Sequence, residues 1–258
     1  MIRDAHVHVG WYPRLRRGAA EPEPFYVSPR RLCSVLRRCG VGAFVFSSTS
    51  AQTDGARIAD LRREAGEVKR LWGLGAHAFL WLTGCGFDED PALGELASGL
   101  YEGVKLHGGE TDWLKERPGD LDRILSVAEA RGLPVQVHCG ENPGTRPLEW
   151  QPVARRHPRL RFDFAHCRPA DEAAEAMCGA PNVWADVSFA DSATVRSLVA
   201  AGCGGRLLFG TDFPARMAHS TNGLTALYRA DVRAFADLLP PAAFCNNFLA
   251  FLGKGVAA

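Results

Sequence analysis

The sequence predicts a single-domain (β/α)8 TIM barrel over residues 1–258, and three observations predict it. Eight short apolar runs of strand character alternate with segments of helical periodicity from end to end. The strand runs are apolar on both faces, as in a parallel sheet covered by helices. From His8 to Asp212 the chain takes seven steps of about 29 residues, the length of a βαβ unit. A doubly wound sheet fits less well, because no glycine-rich phosphate loop follows any strand run.

The strands fall at Ala5–Val9, Ala43–Ser47, Gly73–Phe79, Gly103–His107, Pro134–His138, Leu160–His166, Val183–Val187 and Leu207–Gly210. The helices between them carry their own start and stop signals. Ser28 followed by Pro29 is an N-cap with proline in the first turn. Asp54 to Arg70 is amphipathic and arginine-rich on one face. Asp120 opens a helix that Gly132 is placed to close. Helical segments follow at 169–179 and 191–202, and the pattern runs on from Thr221 to Leu252.

Composition narrows the function classes. Thirty basic against 29 acidic residues leave a net charge of +1, which gives no field for nucleic acid. No apolar run has the roughly 18 residues of a membrane span, and the start, MIRDAHVHVG, lacks the apolar stretch of a secretory signal. Eight scattered cysteines without a CxxC read as thiols in a reduced, cytoplasmic protein. A small molecule is the expected partner, with neither nucleic acid nor membrane, and self-association into a homo-oligomer is left open.

Chemistry gathers at the strand C-termini, where barrel active sites are built. His6 and His8 lie two apart on the first strand, so both imidazoles face one way. The fourth strand ends VKLH, the fifth VQVHCGE, the sixth DFAHC, and the eighth runs LLFGTDFP. His107, His138, His166 and Asp212 therefore join the same rim. One histidine there is an ordinary packed side chain; five with a carboxylate form a shell for Zn2+ or a similar divalent ion. Barrel closure would bring His8 and Asp212 within about 8 Å.

The constellation His6-x-His8, His138, His166 and Asp212 resembles the amidohydrolase superfamily of metal-dependent barrel hydrolases. GTDFP and the late NFLAFLG are similar to the branch called amidohydrolase 2, which includes hydrolases and nonoxidative decarboxylases. The resemblance implies that His6, His8, His138 and Asp212 hold the metal, and that His166 acts on the attacking water or on substrate. It also implies that Asp212 binds the metal or carries the water's proton.

Two residues leave alternatives open. Lys105 shares a strand face with His107, and VKLHG resembles a segment in dihydroorotase-like relatives where a lysine carbamate bridges two metals. Otherwise it is an ammonium that orients substrate, or a packed stem with its head in solvent. Glu141, in His138-Cys-Gly-Glu141, is similar to the H-A-G-E segment of adenosine-deaminase-like barrels, but GTDFP lacks their second Asp; the plain reading is a solvated loop residue. Rim loops carry Trp11, Tyr12, Arg14, Arg146, Arg168 and Arg216, and arginines beside a metal favour a carboxylate or phosphate. His77 either faces the cavity or packs behind it, and His157 and His219 read as surface residues.

These readings converge on a hydrolase using a metal-activated water on an amide, lactone or related carbonyl of a small anionic substrate. Asp212, His166 and Lys105 are its expected catalytic residues, and His107, Arg168, Glu141 and Trp11 its expected substrate contacts. One divalent ion is expected, Zn2+ first, with a second only if Lys105 is carbamylated. The alternatives are a nonoxidative decarboxylase, a deaminase using Glu141, or a barrel that has lost catalysis and serves as a scaffold.

Overall fold

The computed structural model describes residues 1–12, 25–52, 57–83, 89–108, 111–215 and 223–255. Its sheet begins with β1 (Ile2–Tyr12), against which the short β2 (Phe25–Val27) pairs antiparallel. Parallel strands then follow in chain order: β3 (Val41–Ser48), β4 (Ala76–Leu82), β5 (Gly103–His107), β6 (Val135–His138), β7 (Phe162–Ala165), β8 (Val183–Asp186) and β9 (Leu207–Leu208). The chain beyond β9 returns to β1. Ala5 N–H donates to the Phe209 carbonyl (2.8 Å), His8 N–H to the Phe213 carbonyl (2.7 Å), and Val7 bridges Phe213 in parallel. The predicted eight-stranded barrel is thus closed, with β2 as an addition.

Helices pack around it: α1 (Pro29–Arg38), α2 (Ile58–Trp72), α3 (Glu89–Ala97), α4 (Pro118–Ala130), α5 (Pro147–Arg156), α6 (Ala170–Gly179), α7 (Ser192–Ala200), α8 (Leu224–Ala236) and α9 (Asn246–Phe251). The Ser28 and Gly132 caps are as the sequence predicts, but α4 opens at Pro118 rather than at Asp120. The Ser28 hydroxyl accepts from Arg31 N–H (3.2 Å), and Gly132, at φ 66°, ends α4 while Leu133 N–H reaches back to Ala128 (2.9 Å). Most apolar burial lies between strands and helices. A second cluster fills the barrel itself, where Ala5, Val45, Phe79 and Leu208 meet Phe248, Phe251 and Leu252. So α9 stops the end away from the strand C-termini, leaving the other end for a site.

Two differences from the sequence reading have clear causes. β4 begins at Ala76 rather than Gly73, because Gly73, at φ 90°, terminates α2. His77 therefore sits at the start of its strand, beneath the barrel, with Nδ1 2.9 Å from Glu102 and its ring 5.7 Å from Phe248. It packs there rather than facing the cavity. The other is β2: Trp11 and Tyr12, expected in a rim loop, instead extend β1 and pair with Tyr26 and Phe25. Residues 13–24 lie outside the described residues. The seven described cysteines are free thiols, and no helix among the described residues is long and apolar enough to cross a membrane.

Glu102 organises the lower end. Its carboxylate accepts from Lys69 (2.8 Å) and Lys254 (2.9 Å) as well as meeting His77. Burial alone would raise its pKa, but these hydrogen bonds outweigh burial and hold it below the ordinary carboxylate range. A depressed acid contributes stability above its unfolded pKa and loses it as pH falls through the folded value. Urea midpoints measured from pH 7 to pH 2 should therefore fall more steeply for the native protein than for Glu102→Gln, which should also be less stable at pH 7 by roughly 1–3 kcal/mol.

Candidate active site

Strand parity builds the centre of the site. His6, His8 and Tyr12 share one face of β1, and all three are buried. His8 places Nδ1 against the Ser47 carbonyl (3.4 Å) and hydroxyl (3.0 Å). A carbonyl only accepts, so Nδ1 carries the proton and Nε2 presents a lone pair. That lone pair faces Asp212 Oδ1 at 2.8 Å, well within the 8 Å that closure requires. His6 Nδ1 is held by Asp186 Oδ2 (3.0 Å), so its Nε2 is likewise an acceptor, 3.6 Å from Asp212 Oδ1. The ligand atoms of His6, His8 and Asp212 all lie within 4.8 Å of one another. Converging acceptors without a proton between them repel, and a cation resolves that. Two imidazoles and a carboxylate with second partners on the imidazoles fit a divalent metal.

The other predicted residues surround this group. Lys105, only 1% exposed, places Nζ 3.1 Å from His6 Nε2 and 5.7 Å from the Trp81 ring centre, so its head does not reach solvent. Trp81, His107 and His138 stack in sequence along the ends of β4, β5 and β6, with centres 5.7 Å and then 3.9 Å apart. His138 is not brought into the three-residue group; its Nδ1 lies 3.0 Å from His166 Nε2. His166 stacks on His6 at 5.2 Å and turns Nδ1 to the Ser188 hydroxyl (2.7 Å). Ligand atoms of His6, His166 and Asp186 form a second close set, joined by these hydrogen bonds.

Burial dominates the electrostatics. It lowers His6 and His138 well below the usual histidine range, and His107 and His166 to about 3, with the Lys105 charge adding to the effect on all four. These four imidazoles are neutral, as metal ligation or proton acceptance requires. Burial alone would raise Asp212; positive charge at His6 and His8 lowers it, and with lone pairs facing the carboxylate that charge has to come from a cation held between them. Burial also lowers Lys105, opposed by Asp186, Asp212 and Asp163. His166, Cys167, Phe189 and Asp212 adopt positive φ values of 51–75°, so the loops after β7, β8 and β9 each hold a residue in a conformation that costs about 1–2 kcal/mol.

At the rim, Arg168 lies 5.8 Å over the Phe189 ring, and its buried Nε has no hydrogen-bond partner among the described residues. Phe189 in turn meets His166 edge-on at 5.5 Å. Trp11 is not brought to the site. Strand parity turns it to the face opposite His8, where it is 46% exposed against Tyr26, while Tyr12 packs 6.4 Å from His8. Glu141 is exposed on the loop after β6, and Arg146 is engaged by Glu172 (2.8 Å). Arg14, Arg216 and His219 lie outside the described residues. Sequence reading missed Asp186, Ser188 and Trp81. The signal for Asp186 was its place at the end of β8, equivalent to His138 on β6.

Comparison with known proteins bears on this arrangement. The amidohydrolase family profile matches residues 4–236. No curated protein matches. Among solved structures, amidohydrolase 2 from Bifidobacterium longum subsp. infantis is 16% identical, covering 98% of each chain at a TM-score of 0.67. An amidohydrolase from Burkholderia multivorans with bound zinc is also 16% identical, over 98% of this chain and 99% of that one, at 0.64. A dihydroxybenzoic acid decarboxylase from a Polaromonas species, with bound manganese and 2-nitroresorcinol, is 14% identical over 88% and 86%, at 0.54. At these identities the likeness is one of fold.

The neutral imidazoles give a direct test. With pKa values of about 3, His107 and His166 should show no titration between pH 5 and 8 in histidine NMR spectra, whereas exposed histidines change near 6.5.

Proposed function

The chain belongs to the amidohydrolase family, and on that premise we propose a metal-dependent hydrolase that cleaves an amide, lactone or related carbonyl bond in a small anionic substrate. The observation that carries this reading is the convergence of His6 Nε2, His8 Nε2 and Asp212 Oδ1, all three residues buried. These three would hold one divalent ion, Zn2+ first, with His138 as the fourth candidate across His166. Such an ion, when bound, polarises a carbonyl and makes water acidic near neutral pH.

The chain's own groups supply the rest. His166 is neutral and buried, with Nε2 turned toward His138, and can accept a proton there. Asp212, ionised beside a bound cation, can take or return a proton at its carboxylate. With His6 Nε2 engaged by an ion, Lys105 is left to meet a substrate oxygen, and Arg168 Nε offers a second donor at the rim. The contact between Lys105 and His6 Nε2 supports an amine in that place and therefore one ion rather than two. The exposure of Glu141 favours hydrolysis over deamination.

Product analysis separates hydrolysis from decarboxylation. Turnover in 18O-labelled water should place the label in the product, and CO2 release without label would overturn the hydrolase. Protein purified without chelators should carry about one equivalent of metal. Less than about 0.2 equivalents, with no activity after reconstitution, would favour the scaffold. Lys105→Ala should lower turnover by about tenfold or more while leaving metal content nearly unchanged. Loss of half the metal would indicate a carbamate between two ions instead.

A further inference from the structure

We propose that Asp186 and Ser188 are positioning residues that fix the tautomers of His6 and His166. Asp186 ends β8 fully buried, and its oxygens are divided between two tasks. Oδ2 meets His6 Nδ1 at 3.0 Å; Oδ1 accepts from Ser188 N–H at 2.9 Å and from the Ser188 hydroxyl. Gly210 makes room for this arrangement, since a Cβ there would lie 2.9 Å from Asp186 Oδ1.

The proton count then propagates. The Ser188 hydroxyl has one proton, and it goes to the carboxylate, which only accepts. Ser188 Oγ must therefore receive from His166 Nδ1 at 2.7 Å, while the single Nδ1 proton of His6, whose nitrogen is 3.2 Å away, goes to Asp186 Oδ2. Both rings carry hydrogen on Nδ1. His6 Nε2 is left as a lone pair toward Asp212 and Lys105, and His166 Nε2 as a lone pair toward His138. A single carboxylate thus aims two imidazoles, one as a metal ligand and one as a proton acceptor. Those two uses rest on the hydrolase reading; the tautomers do not.

The test is long-range 1H–15N spectroscopy of 15N-histidine protein, which distinguishes Nδ1–H from Nε2–H rings. The metal-free native protein should show Nδ1–H for His6 and His166. Ser188→Ala should move His166 toward Nε2–H, and Ser188→Thr, which keeps the hydroxyl, should restore the native signature. Asp186→Asn should weaken zinc binding about 10- to 100-fold in chelator competition. A native spectrum with Nε2–H on His166, or an unchanged His166 tautomer in Ser188→Ala, overturns the proposal; the native spectrum decides even if that variant does not fold. Nδ1–H rings in a protein that binds no zinc would uphold the positioning and overturn the hydrolase.

Discussion

Closure of the first strand onto the last is the constraint on which the site depends. His6 and His8 lie near the N-terminus and Asp212 lies more than 200 residues later, so their approach exists only if β1 and the segment after β9 are held in register. Asp4 is the pin. Its buried carboxyl meets His6 N–H (3.0 Å), Thr211 N–H (3.2 Å), the Thr211 hydroxyl (2.7 Å) and the Tyr228 hydroxyl (2.7 Å). Burial raises its pKa to about 7, and those donors oppose the rise. Three of the four belong to residues adjoining or forming the site, so the same side chain closes the barrel and sets the spacing between His8 and Asp212. Its loss would orphan several buried donors, each worth roughly 1–3 kcal/mol.

Most of the fold was legible because parallel strands in a helix-covered barrel are apolar on both faces, and few other environments produce eight such runs at even spacing. The errors came where that signal is thin. Only three residues form β2, and Phe25–Val27 carries no alternation to read. β4 was begun early because Gly73 adjoins an apolar run, though a glycine after a helical stretch is more naturally its terminator.

The site shows the same division. Histidines at strand ends stand out because they interrupt apolar sequence, and so His6, His8, His107, His138 and His166 were all found. A lone Asp at a strand end is commonplace, and Asp186 gains meaning only when closure brings it to His6 across 180 residues. Trp11 was a failure of a different kind, since the parity that pairs His6 with His8 also assigns Tyr12 to the cavity and Trp11 to the outside. Rotating an aromatic to the wrong face is avoidable wherever a strand continues past its catalytic pair.

Charge inside the barrel bears on the anionic substrate proposed above. Asp163 is buried beneath the site, accepts from Gln136 (2.8 Å) and is pushed well above the usual carboxylate range by burial and by Asp186, so it remains neutral. The imidazoles of His6, His107, His138 and His166 are neutral as well. Lys105 lies among Asp186, Asp212 and Asp163, which oppose the lowering that burial imposes on it. On the proposed reading a divalent ion beside His6, His8 and Asp212 adds two positive charges to this buried region. An anionic substrate offsets part of that charge, whereas a neutral one leaves it to the protein alone, at a cost that low-dielectric surroundings magnify. On that reading, preference for an anion follows from the buried ion itself, before any particular arginine at the rim is considered.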